Sequence, residues 1–153
     1  MGRSTLVKSA DKIGRVSEDS IKEYVDKMEA LAVGMNEIML RREDILELIG
    51  GEKNITMMKE NHNNHLRFVA SILQTPDSGI LVDTTLGVFR AYMSRGFSPD
   101  YWEVQLNTWR ELLKQNMTDK AFLEVISIYN WFTVNIPHFT VVADEKSKHM
   151  DND

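Results

Sequence analysis

The sequence predicts an all-α helical bundle. Three observations carry this. Apolar residues recur at three- and four-residue steps over most of the chain, which is the signature of helices with one buried face. The eight glycines and three prolines fall mainly between those stretches. No alternating strand-like run of useful length and no internal repeat interrupts them. With 153 residues the chain suits one domain with one sizeable core. The expected organisation is an N-terminal arm or short helix over 1–16, a helical domain over 17–143 and a disordered polar tail over 144–153.

The first long helix is expected to begin at Ser17, an N-cap followed by Glu18 and Asp19 at the positive end of the helix dipole. Ile21, Met28, Met35 and Ile49 share one register, interrupted by Arg42. Tyr24/Val25, Leu31/Ala32, Ile38/Met39 and Ile45/Leu46 fill the steps between. The run is expected to continue, with a bend at Gly34 possible, until Gly50-Gly51 stops it. Such a helix either covers a core or forms the seam of a coiled-coil dimer. The second helix spans 54–73 with Ile55, Met58, His62, Leu66, Val69 and Leu73 inward. The third spans 77–95, capped by Asp77 or Ser78 and closed by Gly96. Ser98-Pro99-Asp100 then opens a fourth, with Trp102, Leu106, Trp109 and Leu113 on one stripe. Thr118 caps a fifth, with Phe122, Val125, Tyr129, Phe132 and Ile136 inward. Pro137 should kink or end it.

Composition narrows the function. The net charge of −5 disfavours nucleic acid, whose phosphates need a basic footprint. The absence of cysteine removes disulfides, thiol catalysis and thiolate metal sites, and fits a reducing cytoplasm. The N-terminus lacks a signal-peptide apolar run, and no stretch approaches the ~20 apolar residues of a membrane span. No phosphate loop, G-x-S-x-G or H-E-x-x-H motif occurs, so the chain reads as no enzyme.

The candidate binding residues lie on the second and third helices. His62 and His65 share the face of Met58, Val69 and Ile72. They could meet the polar end of a ligand, or be ordinary hydrogen-bonded histidines. Their spacing alone does not complete a metal site. Glu60, Asn61, Asn63 and Asn64 are expected mostly on the outer face. Arg90 and Arg95 could hold a carboxylate, or merely complement a helix C-terminus. Thr84, Thr85 and Gly87 could make room for something against the third helix. Nine methionines could line a shape-tolerant cavity or fill gaps in the core.

Tyr92-x-x-Arg95-Gly96-Phe97-Ser98 with Tyr101, then Leu106 and Trp109, then Ile128-Tyr129-x-Trp131, resembles the haem-less globin sensor domains of Bacillus and its relatives. These stand at the N-termini of stressosome proteins and certain sporulation sensor kinases. The resemblance covers residues 18 to 137 and rests on packing and corner residues. Similar in size and layout are stand-alone sporulation-inhibitory members that look like a kinase's sensor domain cut free. The resemblance implies a globin-like bundle without haem, and a fatty acid or similar lipid in an apolar tunnel where haem would lie. It also implies competition with a sporulation sensor kinase for its signal. Residues 77–95 offer no well-placed proximal haem ligand. With no output domain expected after the tail, the chain would act by sequestering ligand or docking on a partner, as a homodimer through its long helices.

Helix geometry then supplies the expected contacts. The carboxylate should meet His62, His65 or Arg90. The tail should lie among Met58, Val69, Leu86, Phe89, Leu112 and Phe132, with Leu66, Thr85 and Met93 also counted as ligand-binding residues. The rival readings are a protein-interaction module with a filled core and a true haem sensor.

Overall fold

The structure, a computed structural model, describes the backbone of residues 2–151 and the side chains of residues 2–143. Among these residues it is all-α and contains no strand. The helices are α1 (Arg3–Ala10), α2 (Glu18–Leu40), α3 (Ile45–Ile49), α4 (Ile55–Gln74), α5 (Ser78–Ser94), α6 (Asp100–Asn116) and α7 (Asp119–Asp151). A 3-10 turn at Glu52–Asn54 leads into α4.

Most starts and stops follow local chemistry. Ser17 Oγ accepts the Ser20 amide at the start of α2, and Asp77 accepts the Ile80 amide at the start of α5. Thr118 Oγ1 accepts the Ala121 amide at the start of α7. Gly96 closes α5 with φ +104°, and the amides of Gly96 and Phe97 reach back to the carbonyls of Met93 and Tyr92.

Two expected boundaries differ. The first long helix does not run to Gly50: it ends at Leu40, and α3 begins anew at Ile45. Arg41-Arg42-Glu43-Asp44 offers no apolar side chain for the core. Instead the Arg42 guanidinium pairs locally with Asp44 at 2.9 and 3.0 Å, which favours a turn. Nor does Pro137 end the last helix, which continues through it. Side-chain donors serve neighbouring carbonyls here: Thr133 bonds to the Tyr129 oxygen, Asn135 to that of Trp131 and Thr140 to that of Ile136. The expected polar tail, 144–153, falls where side chains lie outside the described residues; the backbone of α7 is helical as far as Asp151.

α7 forms the hub. It packs against α2, α5 and α6, while α4 lies chiefly on α2. Tyr24, Met35, Met39, Met58, Trp109 and Tyr129 have no exposure at all. α1 straps across α5 and α7, burying Leu6 and Ala10. Arg3 pairs with Asp83 on α5 at 2.7 Å, and Ser9 accepts the Trp131 indole N–H of α7 at 2.9 Å.

The corner after α3 meets the corner after α5. Gly50 has φ +83°, and a Cβ built there would stand 2.5 Å from the Gly96 carbonyl oxygen. Ser98 N–H donates to the Leu48 carbonyl at 2.8 Å, and the Asn54 amide donates to the carbonyls of Ile49 and Arg95. Gly50→Ala therefore incurs a left-handed backbone penalty of about 1–2 kcal/mol as well as displacing the Gly96 corner. The expected result is a melting temperature lowered by several degrees in thermal denaturation; an unchanged midpoint would show that the two corners do not depend on this approach.

Candidate functional site

α4 lies on α2, and α5 lies on α7 and α1, so the two helices diverge beyond the Gln74–Ser78 corner that joins them. The cleft between them is a cavity of about 160 Å³. α4 contributes Asn61, Asn64, His65 and Phe68; α5 contributes Thr84, Thr85, Val88, Phe89 and Tyr92. α6 closes the cavity with Trp102, Gln105 and Leu106, and α7 adds Phe132. Asn64 is exposed and Phe68, Thr84 and Val88 are half-buried, which marks the mouth. Trp102, Gln105, Leu106 and Phe132 are buried and form the floor.

The apolar wall is built from stacked rings. Phe89 lies on Trp102 with centroids 4.4 Å apart and planes within 18°. The Trp102 indole N–H is buried with no acceptor among the described residues, as is that of Trp109. His65 stacks on Trp109 at 5.1 Å, and Phe132 lies 5.9 Å away.

The polar groups form two separate networks. In the first, His62 Nδ1 meets Asn36 Oδ1 at 2.6 Å and Nε2 meets the Tyr101 hydroxyl at 3.1 Å. Asn36 Oδ1 can only accept, so His62 carries its proton on Nδ1 and Tyr101 donates to Nε2. Gln105 donates to the Tyr101 oxygen and to Asn61 Oδ1. In the second network, the Tyr24 and Tyr129 hydroxyls are 2.7 Å apart, and Tyr129 lies 3.0 Å from His65 Nε2. Tyr24 has no other acceptor among the described residues. Donation from the enclosed Tyr24 to Tyr129, and from Tyr129 to His65 Nε2, is the ordering that leaves no enclosed hydroxyl proton without an acceptor. That ordering leaves the His65 proton on Nδ1, where no acceptor is described.

Burial sets the ionisation. Desolvation pushes His62 down to about 3 and His65 down to about 3, with the neighbouring His62 adding to the effect on His65. Burial likewise pushes Tyr24, Tyr101 and Tyr129 upward, so all three stay phenolic. Lys59 and Arg67 of α4 and Arg90 of α5 do not line the cavity, so its described lining carries no charge.

Of the residues expected from sequence, His65, Thr85, Phe89 and Phe132 meet at this cavity. The others do not line it. Met58, His62, Leu66, Val69 and Leu86 are buried in the core, and His62 has both ring nitrogens engaged. Leu112 faces α2, where its Cδ2 would lie 3.0 Å from a Cβ added at Gly34. Arg90 and Met93 are half-buried on α5 outside the lining; the Arg90 Nε is enclosed without an acceptor among the described residues. No methionine lines the cavity: Met35, Met39 and Met58 fill the core instead. Thr84 and Thr85 do line it, whereas Gly87 does not.

Asn61 corrects the expected outer face, being only 5% exposed. Sequence reasoning also missed Trp102, Gln105 and Leu106 as site residues. Gln105 precedes Leu106 on an apolar stripe, and a polar residue at such a step was the available signal.

No protein-family model, curated protein or solved structure matches this chain.

Proposed function

We propose that this protein is a ligand-binding regulatory sensor whose site is the cleft between α4 and α5. The observation that carries the reading is a mostly apolar, ring-walled cavity held open between two helices that pack elsewhere. An engineered apolar cavity of about 150 Å³ in another protein stays dry and takes up benzene. A space of about 160 Å³ thus suits a ring or a short run of methylenes. A longer acyl chain needs the mouth at Phe68, Thr84 and Val88 to widen. Each methylene buried contributes about 0.8 kcal/mol, so a lipid such as a fatty acid gains affinity with few polar contacts.

The globin-like character and the regulatory role rest on the resemblance carried by the Tyr92–Tyr101 corner and the Trp109 and Tyr129–Trp131 positions. On that reading the protein is cytoplasmic and homodimeric. It sequesters a lipid signal that a sporulation sensor kinase would otherwise receive. No helix among the described residues is long and apolar enough to cross a membrane.

Val88→Trp tests the site, since the side chain starts at the mouth rather than in the core. The protein should remain helical by circular dichroism and lose at least tenfold in uptake of added fatty acid, read by native mass spectrometry. Unchanged uptake would place the ligand outside the cleft.

A second reading, a protein-interaction module, draws on exposed apolar side chains. Val33 on α2 is 52% exposed, and Leu123, Val134 and Val141 on α7 are 69%, 72% and 55% exposed. A purified chain that takes up no lipid would favour it.

A further inference from the structure

The cavity's polar equipment is specific, and it does not suit an anion. Its hydrogen-bonding side chains are asparagine, glutamine, threonine, tyrosine, one imidazole and the Trp102 indole, whose N–H has no acceptor among the described residues. Part of that capacity is already spent. Gln105 donates to Asn61 and Tyr101, and Thr85 Oγ1 donates to the Leu81 carbonyl at 2.7 Å. The cations of the wall helices, Lys59, Arg67 and Arg90, stand off the lining. A carboxylate drawn onto the floor would find no counter-charge, and burying an unpaired ion costs several kcal/mol.

His65 is different. Its Nε2 is committed to Tyr129, and the donor order through Tyr24 and Tyr129 places its remaining proton on Nδ1. The ring cannot swing freely, being stacked on Trp109 and bonded to Tyr129. Its titratable neighbours are His62 on α4 and Tyr129 on α7, with Tyr24 of α2 beyond Tyr129, all uncharged, and no carboxylate of the described residues shares the lining. His65 lines the cavity, so on this ordering it brings a neutral N–H donor to a wall of aromatic rings.

We propose that His65 selects the ligand's head group, donating from Nδ1 to an uncharged oxygen such as that of an alcohol, ester or amide, so that the preferred ligand is a neutral amphiphile rather than a fatty-acid anion. This rests on the cleft being the ligand site, and it narrows the class of lipid taken there. A fatty acid would then keep its ionised end at the mouth near Asn64, in water.

The test is calorimetric titration of the full chain with octanol, octanoate and octane at neutral pH. Octanol should bind roughly tenfold or more tightly than octanoate. His65→Leu should erase most of the preference for octanol over octane, a loss of roughly three- to tenfold for one neutral hydrogen bond, while octane binding stays level. His65→Gln, which keeps a neutral donor, should retain part of the preference. Octanoate binding as tightly as octanol would overturn the neutral-head assignment and leave the cleft as a lipid site. Octanol affinity indifferent to His65→Leu would remove His65 from recognition. If none of the three binds, the cleft reading fails and this inference with it. The wild-type ratio of octanol to octanoate decides the head-group class even where His65→Leu does not fold.

Discussion

Trp109→Ala should cost the fold about 3–5 kcal/mol, the usual range for deleting a buried aromatic side chain. The indole is wholly enclosed, stacks on His65 at 5.1 Å and stands edge-on to His62 at 5.8 Å. Removing it opens a void and frees both imidazoles of the α4 face. Small domains are stable by only about 5–15 kcal/mol, so much of the total is at stake. Trp109→Phe should be far milder. The indole N–H has no acceptor among the described residues, so phenylalanine forfeits volume but no hydrogen bond. Urea denaturation of the two variants measures the difference. Equal midpoints for Trp109→Ala and the parent would refute a central role for this ring.

The second large effect is acid sensitivity. In the unfolded chain an imidazole takes up its proton near 6.5, whereas in the fold His62 and His65 resist until about 3. Between those values the unfolded state binds more protons, so stability rises with pH. Above 6.5 the pair imposes no protonation penalty, and the penalty grows progressively as pH falls towards 3. Each histidine contributes a slope of up to about 1.4 kcal/mol per pH unit within that window. Urea midpoints followed from neutral pH downward should fall steeply. The double variant His62→Gln, His65→Gln should start less stable and show a flatter profile. Parallel profiles would trace the acid sensitivity to other groups.

How far the sequence could be read depended on how local each determinant was. The caps at Ser17, Asp77 and Thr118 and the stop at Gly96 are side-chain or φ preferences acting within four residues, and each stands where expected. The break between α2 and α3 was disguised, because the apolar register resumes at Ile45 after four charged residues. Of the two outcomes expected at Pro137, a kink or an end, the end does not occur: the helix continues, with Thr133, Asn135 and Thr140 serving nearby carbonyls.

The site was the harder case. Periodicity said that His65, Thr85, Phe89 and Phe132 point inward but could not separate cavity wall from filled core. Met58, Leu66, Val69 and Leu86 carry the same inward signal, yet they are buried in the core and do not line this cavity. Asn61 looks like a solvent residue until Gln105, 44 positions away, arrives to bond it. Likewise the tautomer of His65 is decided by Tyr24 and Tyr129, on two other helices.

The strap formed by α1 also has a consequence for how the molecule is made. Ser9 and Trp131 are 122 positions apart, and Arg3 and Asp83 are 80 apart. Eight residues make too short a helix to hold itself in water. During synthesis α1 precedes both helices that seat it, so its seat is incomplete until α7 has been made. Leu6 and Ala10 remain uncovered for most of that time. A segment made before its partners docks late, and its apolar side chains are open to a nascent-chain chaperone in the meantime.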